Sequence, residues 1–236
     1  MIRINLISGP RNISTALLYS FAQRPDCTVV DEPLYAHYLR LSGVEHPGRE
    51  EILASQEQQG EKVVENVILG PYPTPVVFLK NMAHHLQELQ PDFLLQMRNL
   101  FLIRHPRQII ASYAAVRPVV TLADIGLDRQ WALYQWLLEQ GRRPVVLDSN
   151  DLLADPPARL PRLCAALGLR WEPAMLQWPA GPRPEDGVWA PYWYNNVHRS
   201  TGFRKPSGPE RPFPEKFQEV LDQAMILYHH LKNFSL

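Results

Sequence analysis

Cysteine is nearly absent from this chain, Cys27 and Cys164 being the only two among 236 residues. Two thiols cannot make a disulfide framework, and no CxxC pair offers metal-ligand spacing. An excess of either charge is missing too, since 24 Lys and Arg balance 24 Asp and Glu. Global charge therefore points to neither a nucleic-acid nor a membrane partner. Any anion must be recognised locally, by a few basic groups and oriented backbone amides. No apolar run is long enough to span a bilayer. The opening MIRINLISGP lacks the basic and long apolar stretches of a secretion signal. A cytoplasmic location is expected. Repeats and low-complexity tracts are also lacking.

What is present is the material for a large core, with 45% hydrophobic and 20% charged residues. Apolar, β-branched runs at 2–7, 27–30, 76–79, 100–103 and 145–147 read as strands, most of them apolar throughout. Between them the spacing predicts helices over 14–21, 106–116, 127–141 and 157–167, with a last one over 217–231. The stretch 35–67 reads as mainly helical, broken around 43–48. Strands alternating with helices give an α/β fold, a three-layer parallel sheet with helices on both faces. One domain is expected over 1–236, interrupted by a long Pro- and aromatic-rich loop at about 177–214.

The first strand, turn and helix, ISGPRNISTALL, form a setting in which a helix N-terminus binds phosphate. Ser14 and Thr15 add hydroxyls, and Arg11 adds a bidentate fork. The Walker pattern GxxxxGK[ST] is not met, because Ser14-Thr15 stands where Gly-Lys would be.

The turn is similar to the 5′-phosphosulfate loop of sulfotransferases that use 3′-phosphoadenosine-5′-phosphosulfate (PAPS) and release the bisphosphate PAP. Here it reads Pro10-Arg11-Asn12-Ile13-Ser14-Thr15. Three further segments follow in that family's order. FLIRHPRQIIASY resembles the 3′-phosphate motif, with Ser112 eight residues after Arg104. The run from Val146 to Pro156 looks like the family's strand and Y-E-D-L-x-x-D-P segment. Phe203-Arg204-Lys205-Pro206 resembles its late F-R-K-G loop. Ile13, Ala16 and Pro206 depart from the animal cytosolic pattern, and the small bacterial type is closer.

The resemblance implies a P-loop-type sulfotransferase fold and sulfuryl transfer from PAPS to a hydroxyl or amine of a small molecule, with no metal. It assigns donor binding to Arg11, Asn12, Ser14, Thr15, Arg104, Ser112, Arg204 and Lys205. Arg11 and Lys80 would neutralise charge on the leaving 5′-phosphate. For the base there are Glu32 in the segment DEPLY, preferred, and the pair His84 and His85, four and five residues after Lys80, of which His84 is taken second. The aromatic run 188–194 reads either as a lid over the acceptor or as an anchor to the core. A P-loop kinase and a non-catalytic nucleotide-binding protein are the competing readings.

Overall fold

The computed structural model describes residues 1–115, 117–204 and 211–236. Strands β1 (Ile2–Ser8), β2 (Cys27–Asp31), β3 (Val76–Met82), β4 (Arg98–Ile103) and β5 (Val145–Asp148) are all parallel. They lie in one sheet in the order β2-β3-β1-β4-β5. The chain builds β2 and β3 on one side of β1 and β4 and β5 on the other. The C-terminal end of β1 is thus where strand order switches, and open α/β sheets bind ligands at such a point.

The unbroken hydrophobicity of the strands follows from two-sided burial. In β3, Val77 and Leu79 enter one apolar cluster, while Val76 and Phe78 enter the other. In β4, Phe101 and Ile103 divide from Leu100 and Leu102 in the same way. Successive side chains point to opposite faces of a strand, so both faces need apolar residues. Helices Pro106–Ala114, Leu127–Glu139 and Gln218–Lys232 supply one face; Ser14–Phe21 and Pro156–Ala166 cover the other.

Three buried asparagines interrupt this apolar sheet. The Asn81 amide donates to Asn5 at 2.8 Å, and Asn5 donates to Asn99 at 3.2 Å. Asn99 in turn donates to the Leu94 carbonyl at 2.8 Å. The chain of amides crosses the three central strands.

Most expected helices are present within two residues at each end. The stretch 35–67 divides further than expected, into Tyr35–Ser42, Arg49–Ser55 and Gly60–Val63, the last running on as a π-helical turn, Val64–Ile68. Gly43 and Gly48, at φ 60° and 73°, separate the first two. A helix over Ser149–Ala154, capped by Asp148, was not apparent from periodicity. The expected loop at 177–214 carries structure of its own, with helices Ala190–Trp193 and Asn195–His198. Among the described residues, no helix is long and apolar enough to cross a membrane.

Gly9, at the end of β1, is required by space rather than by φ. A Cβ there would lie 2.4 Å from the Ile125 carbonyl oxygen, which is backbone and cannot swing aside. Gly9→Ala is therefore expected to cost about 1–3 kcal/mol of stability, by analogy with overpacked cores. Chemical denaturation of the two proteins would measure it.

Candidate active site

A cleft of about 1160 Å³ opens at the C-terminal ends of the strands. Its floor begins with the turn after β1. Arg11 takes a left-handed φ of 54°, whereas Ile13 sits at φ −92°, which any residue adopts. Ile13 in place of glycine is therefore no obstacle to the turn. Asn12 pins the loop: its Oδ1 accepts from the Ile13 amide at 2.9 Å, and its Nδ2 donates to the Leu102 carbonyl at 3.1 Å. No side chain caps the helix Ser14–Phe21, and Ser14, Thr15 and Ala16 line the cleft. The first helical turn thus presents its donors to the open space.

Arg104, at the end of β4, donates to the Arg11 carbonyl at 2.5 Å and to Gln108 Oε1 at 3.1 Å. Pro106 opens the following helix, which carries Ser112. Arg11 Nε donates to Ser112 Oγ at 3.0 Å. Residues that the sequence assigns to the two ends of a donor are therefore joined here, with Arg11 at their boundary. Burial holds the Arg11 and Arg104 pKa values below the ordinary arginine range. The charge of Arg211 adds to both effects, and Arg11 adds to that on Arg104. Arg204 also lines the cleft, exposed, with a weak contact to Thr201 at 3.4 Å. Lys205 and Pro206 lie outside the described residues.

The charge imbalance is large. Arg11, Arg104, Arg107, Arg117, Arg199, Arg204 and Arg211 line the cleft, against the carboxylates of Glu32 and Glu45. Among the described residues, none of these arginines forms an ion pair with a protein carboxylate. A local excess of cations in a chain of zero net charge is complementary to an anion.

Beside the turn lies a different kind of cluster. Lys80, fully buried on β3, donates to Asp31 Oδ1 at 2.8 Å, Glu32 Oε1 at 2.5 Å and Tyr194 Oη at 2.8 Å. An ammonium has three N–H donors, and all are engaged. Lys80 lines the cleft, but with its three donors on Asp31, Glu32 and Tyr194 it holds carboxylates there. Tyr194 donates to Asp31 Oδ2 at 2.6 Å and accepts from Trp189 Nε1 at 3.0 Å. Burial tends to lower the Lys80 pKa, but Asp31 and Glu32 carry it above the ordinary lysine range. Burial pushes the Glu32 carboxyl upward; Lys80 opposes this and Asp31 adds to it, leaving a net rise. Glu32 also sits at φ 40°, a left-handed conformation costly for a side-chain-bearing residue.

The second candidate base stands farther off. His85, not His84, faces Glu32, with Nδ1 3.8 Å from Oε2. His84 packs edge-on against His85, their ring centres 4.7 Å apart. Burial keeps both neutral at pH 7, His84 being pushed down to about 4. Both line the cleft, with Met82. Of the aromatic run, Trp193 and Tyr194 reach the cleft, whereas Trp189 is buried and serves as an anchor. Arg211 was missed in the sequence, and Asp31 stood there only as the immediate neighbour of Glu32 at the strand end; His85 entered only beside His84, and Tyr194 only within the aromatic run.

The chain matches the model of a family described as "Sulfotransferase domain" over residues 2–235. Two Arabidopsis thaliana proteins, named branched-chain-amino-acid aminotransferase-like protein 2 and protein 1, are 39% and 41% identical to it, over 97% and 96% of its length. The chain spans only 41% of the length of each. Among solved structures, the sulfotransferase domain from the curacin biosynthetic pathway is 17% identical with a TM-score of 0.55, covering 95% of this chain and 97% of that one. A mouse sulfotransferase complexed with PAP is 13% identical with a TM-score of 0.56, covering 97% and 89%. A sulfotransferase from Alicyclobacillus acidocaldarius is 14% identical with a TM-score of 0.53, covering 100% and 97%. At these identities the likeness is one of fold.

Proposed function

The chain belongs to the sulfotransferase domain family, and from that premise we propose that it moves a sulfuryl group from PAPS to a hydroxyl or amine of a small molecule. The observation that carries this reading is the cluster of arginines, without ion pairs among the described residues, around a helix N-terminus that no side chain caps. PAPS brings a phosphosulfate at one end and a phosphomonoester, itself carrying about two negative charges, at the other. The helix N-terminus, with Ser14 and Thr15, faces the phosphosulfate. Arg104, Ser112 and Arg204 face the 3′-phosphate, and Arg11, between them, serves both. Lys205, the next residue after Arg204 in the sequence, belongs to the same proposal by resemblance alone. Asn12 acts by holding the turn in shape, since both ends of its amide are engaged.

Bound PAPS supplies an activated sulfur whose bond to the bridging phosphate oxygen breaks as the new bond forms. Glu32 takes the proton from the acceptor, and the acceptor oxygen or nitrogen bonds to sulfur. The 5′-phosphate leaves opposite, its growing charge met by the helix N-terminus and Arg11. Lys80 orients the base through Glu32 Oε1 and leaves Oε2 for the acceptor proton. No step in this scheme uses a metal.

Thermal shift with PAP, ADP and ATP plus Mg²⁺ tests the donor assignment. PAP is expected to stabilise most, and Arg104→Ala to weaken its binding by about 10–100-fold, the loss of charge-assisted hydrogen bonds. Preference for ATP would favour a kinase. No shift with any nucleotide would favour a non-catalytic scaffold.

A further inference from the structure

Three arginines of the cleft, Arg107, Arg117 and Arg199, are not accounted for by the donor, and of these Arg117 acts on the histidines of the cleft wall. Arg11 and Arg104 feel each other and Arg211, and form one group. Arg117 belongs elsewhere. Its guanidinium lies over the Tyr113 ring, 5.6 Å from the ring centre, and its charge acts on His46, His84 and Tyr38. It makes no ion pair among the described residues, although two carboxylates are in the neighbourhood. Asp124 is engaged, accepting at Oδ2 from the Thr121 amide at 2.8 Å and hydroxyl at 2.7 Å. Glu45 stands exposed on the cleft lining.

Between Glu32 and Arg117 runs a wall of flat rings. His85, beside Glu32, stacks on Tyr35 with ring centres 4.7 Å apart. The Tyr35 hydroxyl meets His46 Nε2 at 2.6 Å, and His46 packs on Trp193 at 5.2 Å. Burial, the larger cause, and the charge of Arg117 keep His46 and His84 neutral at pH 7. The wall is therefore flat and uncharged, its phenol and imidazole polar atoms included, with a carboxylate at one end and, at the other, a cation that has no ion-pair partner among the described residues.

From this arrangement we infer that the acceptor is a hydroxylated aromatic carboxylic acid, its ring against Tyr35 and Trp193, its hydroxyl at Glu32 and its carboxylate on Arg117. A guanidinium in an aromatic setting matches a carboxylate in shape as well as charge. The inference rests on the sulfotransferase reading above, and the experiment separates the two.

PAP binding is measured first, calorimetrically, on the parent protein and on Arg117→Gln and Arg117→Lys. Matched probes then follow: 3-hydroxybenzoate, 4-hydroxyphenylacetate and 4-hydroxycinnamate, each with its methyl ester. Each is titrated into the PAP-loaded protein and assayed for PAPS-dependent sulfation. The best acid is expected to exceed its ester by about tenfold or more in affinity and in kcat/KM, the effect of one charge-assisted contact. Arg117→Gln should bring that ratio toward one, and Arg117→Lys should restore part of it. Failure of PAP to bind the parent would sink the donor reading. PAP binding with no preference for acid over ester would overturn the acceptor inference alone. So would PAP binding with no acid in the panel sulfated, or an acid-to-ester ratio unchanged in Arg117→Gln.

Discussion

Replacing Glu32 by glutamine is expected to lower kcat by about 10²–10⁴-fold, the usual contribution of a general base, while PAP still protects the protein against heat. Glutamine keeps the shape and still accepts a hydrogen bond from Lys80, but it cannot take a proton. His84→Ala should lose far less, because the imidazole that approaches Glu32 is that of His85, on which His84 packs edge-on. The pH profile adds an independent check. Glu32 must be ionised to act, and burial raises its pKa above the ordinary 4.5. Activity should therefore fall, as pH is lowered, through a value above that figure. A limb near 4, lost in His84→Ala, would instead make His84 the base. Full turnover by Glu32→Gln would have the same consequence.

The second large effect is on stability. Lys80→Met removes the one lysine or arginine that, among the described residues, contacts Asp31 and Glu32, leaving two adjacent buried carboxylates uncompensated. Breaking a buried ion pair from one side costs about 3–5 kcal/mol, which for a chain of this size lowers Tm by roughly 6–20 °C. The pH dependence has a definite sign. A carboxyl whose folded pKa lies above its unfolded value contributes stability below the unfolded value and loses it as pH rises through the folded one. Glu32 already behaves in that direction, and removing Lys80 removes the group that opposes the rise. The deficit of Lys80→Met should therefore shrink as pH falls toward the carboxylate range and grow toward neutrality. A deficit independent of pH would mean that the two carboxylates are not what the lysine stabilises.

How much of this was legible beforehand depended on whether the information was local. The strands were legible because two-sided burial writes itself as unbroken apolar runs, as in 76–79 and 100–103. The turn after β1, proposed to hold phosphate, was legible because its residues are consecutive. Arg104 and Ser112 were singled out through the family motif that FLIRHPRQIIASY resembles, and the structure sets them after β4 and on the helix that follows. The Lys80 cluster was not, because Tyr194 reaches Asp31 across 163 positions of sequence. Nothing near either residue signals the other. Choosing His84 over His85 failed as a guide to proximity for a related reason. Which of two adjacent histidines faces a carboxylate depends on the turn that carries them, here Ala83–Leu86, a tight helical turn after β3. Trp189 and Trp193, four residues apart in one aromatic run, divide between core and cleft on the same principle.

The buried amides of Asn81, Asn5 and Asn99 bear on how the sheet avoids misalignment. Strands apolar on both faces could slide by two residues and still bury their side chains, so hydrophobicity alone chooses the alignment weakly. Asn5 and Asn99 are direct partners across β1 and β4. A slide by two would set them opposite hydrocarbon, at about 1–3 kcal/mol for each amide left unsatisfied. The same slide would carry Arg104 away from the Arg11 carbonyl. Three polar side chains deep in the sheet thus act as a vernier that sets where the arginines of the cleft meet.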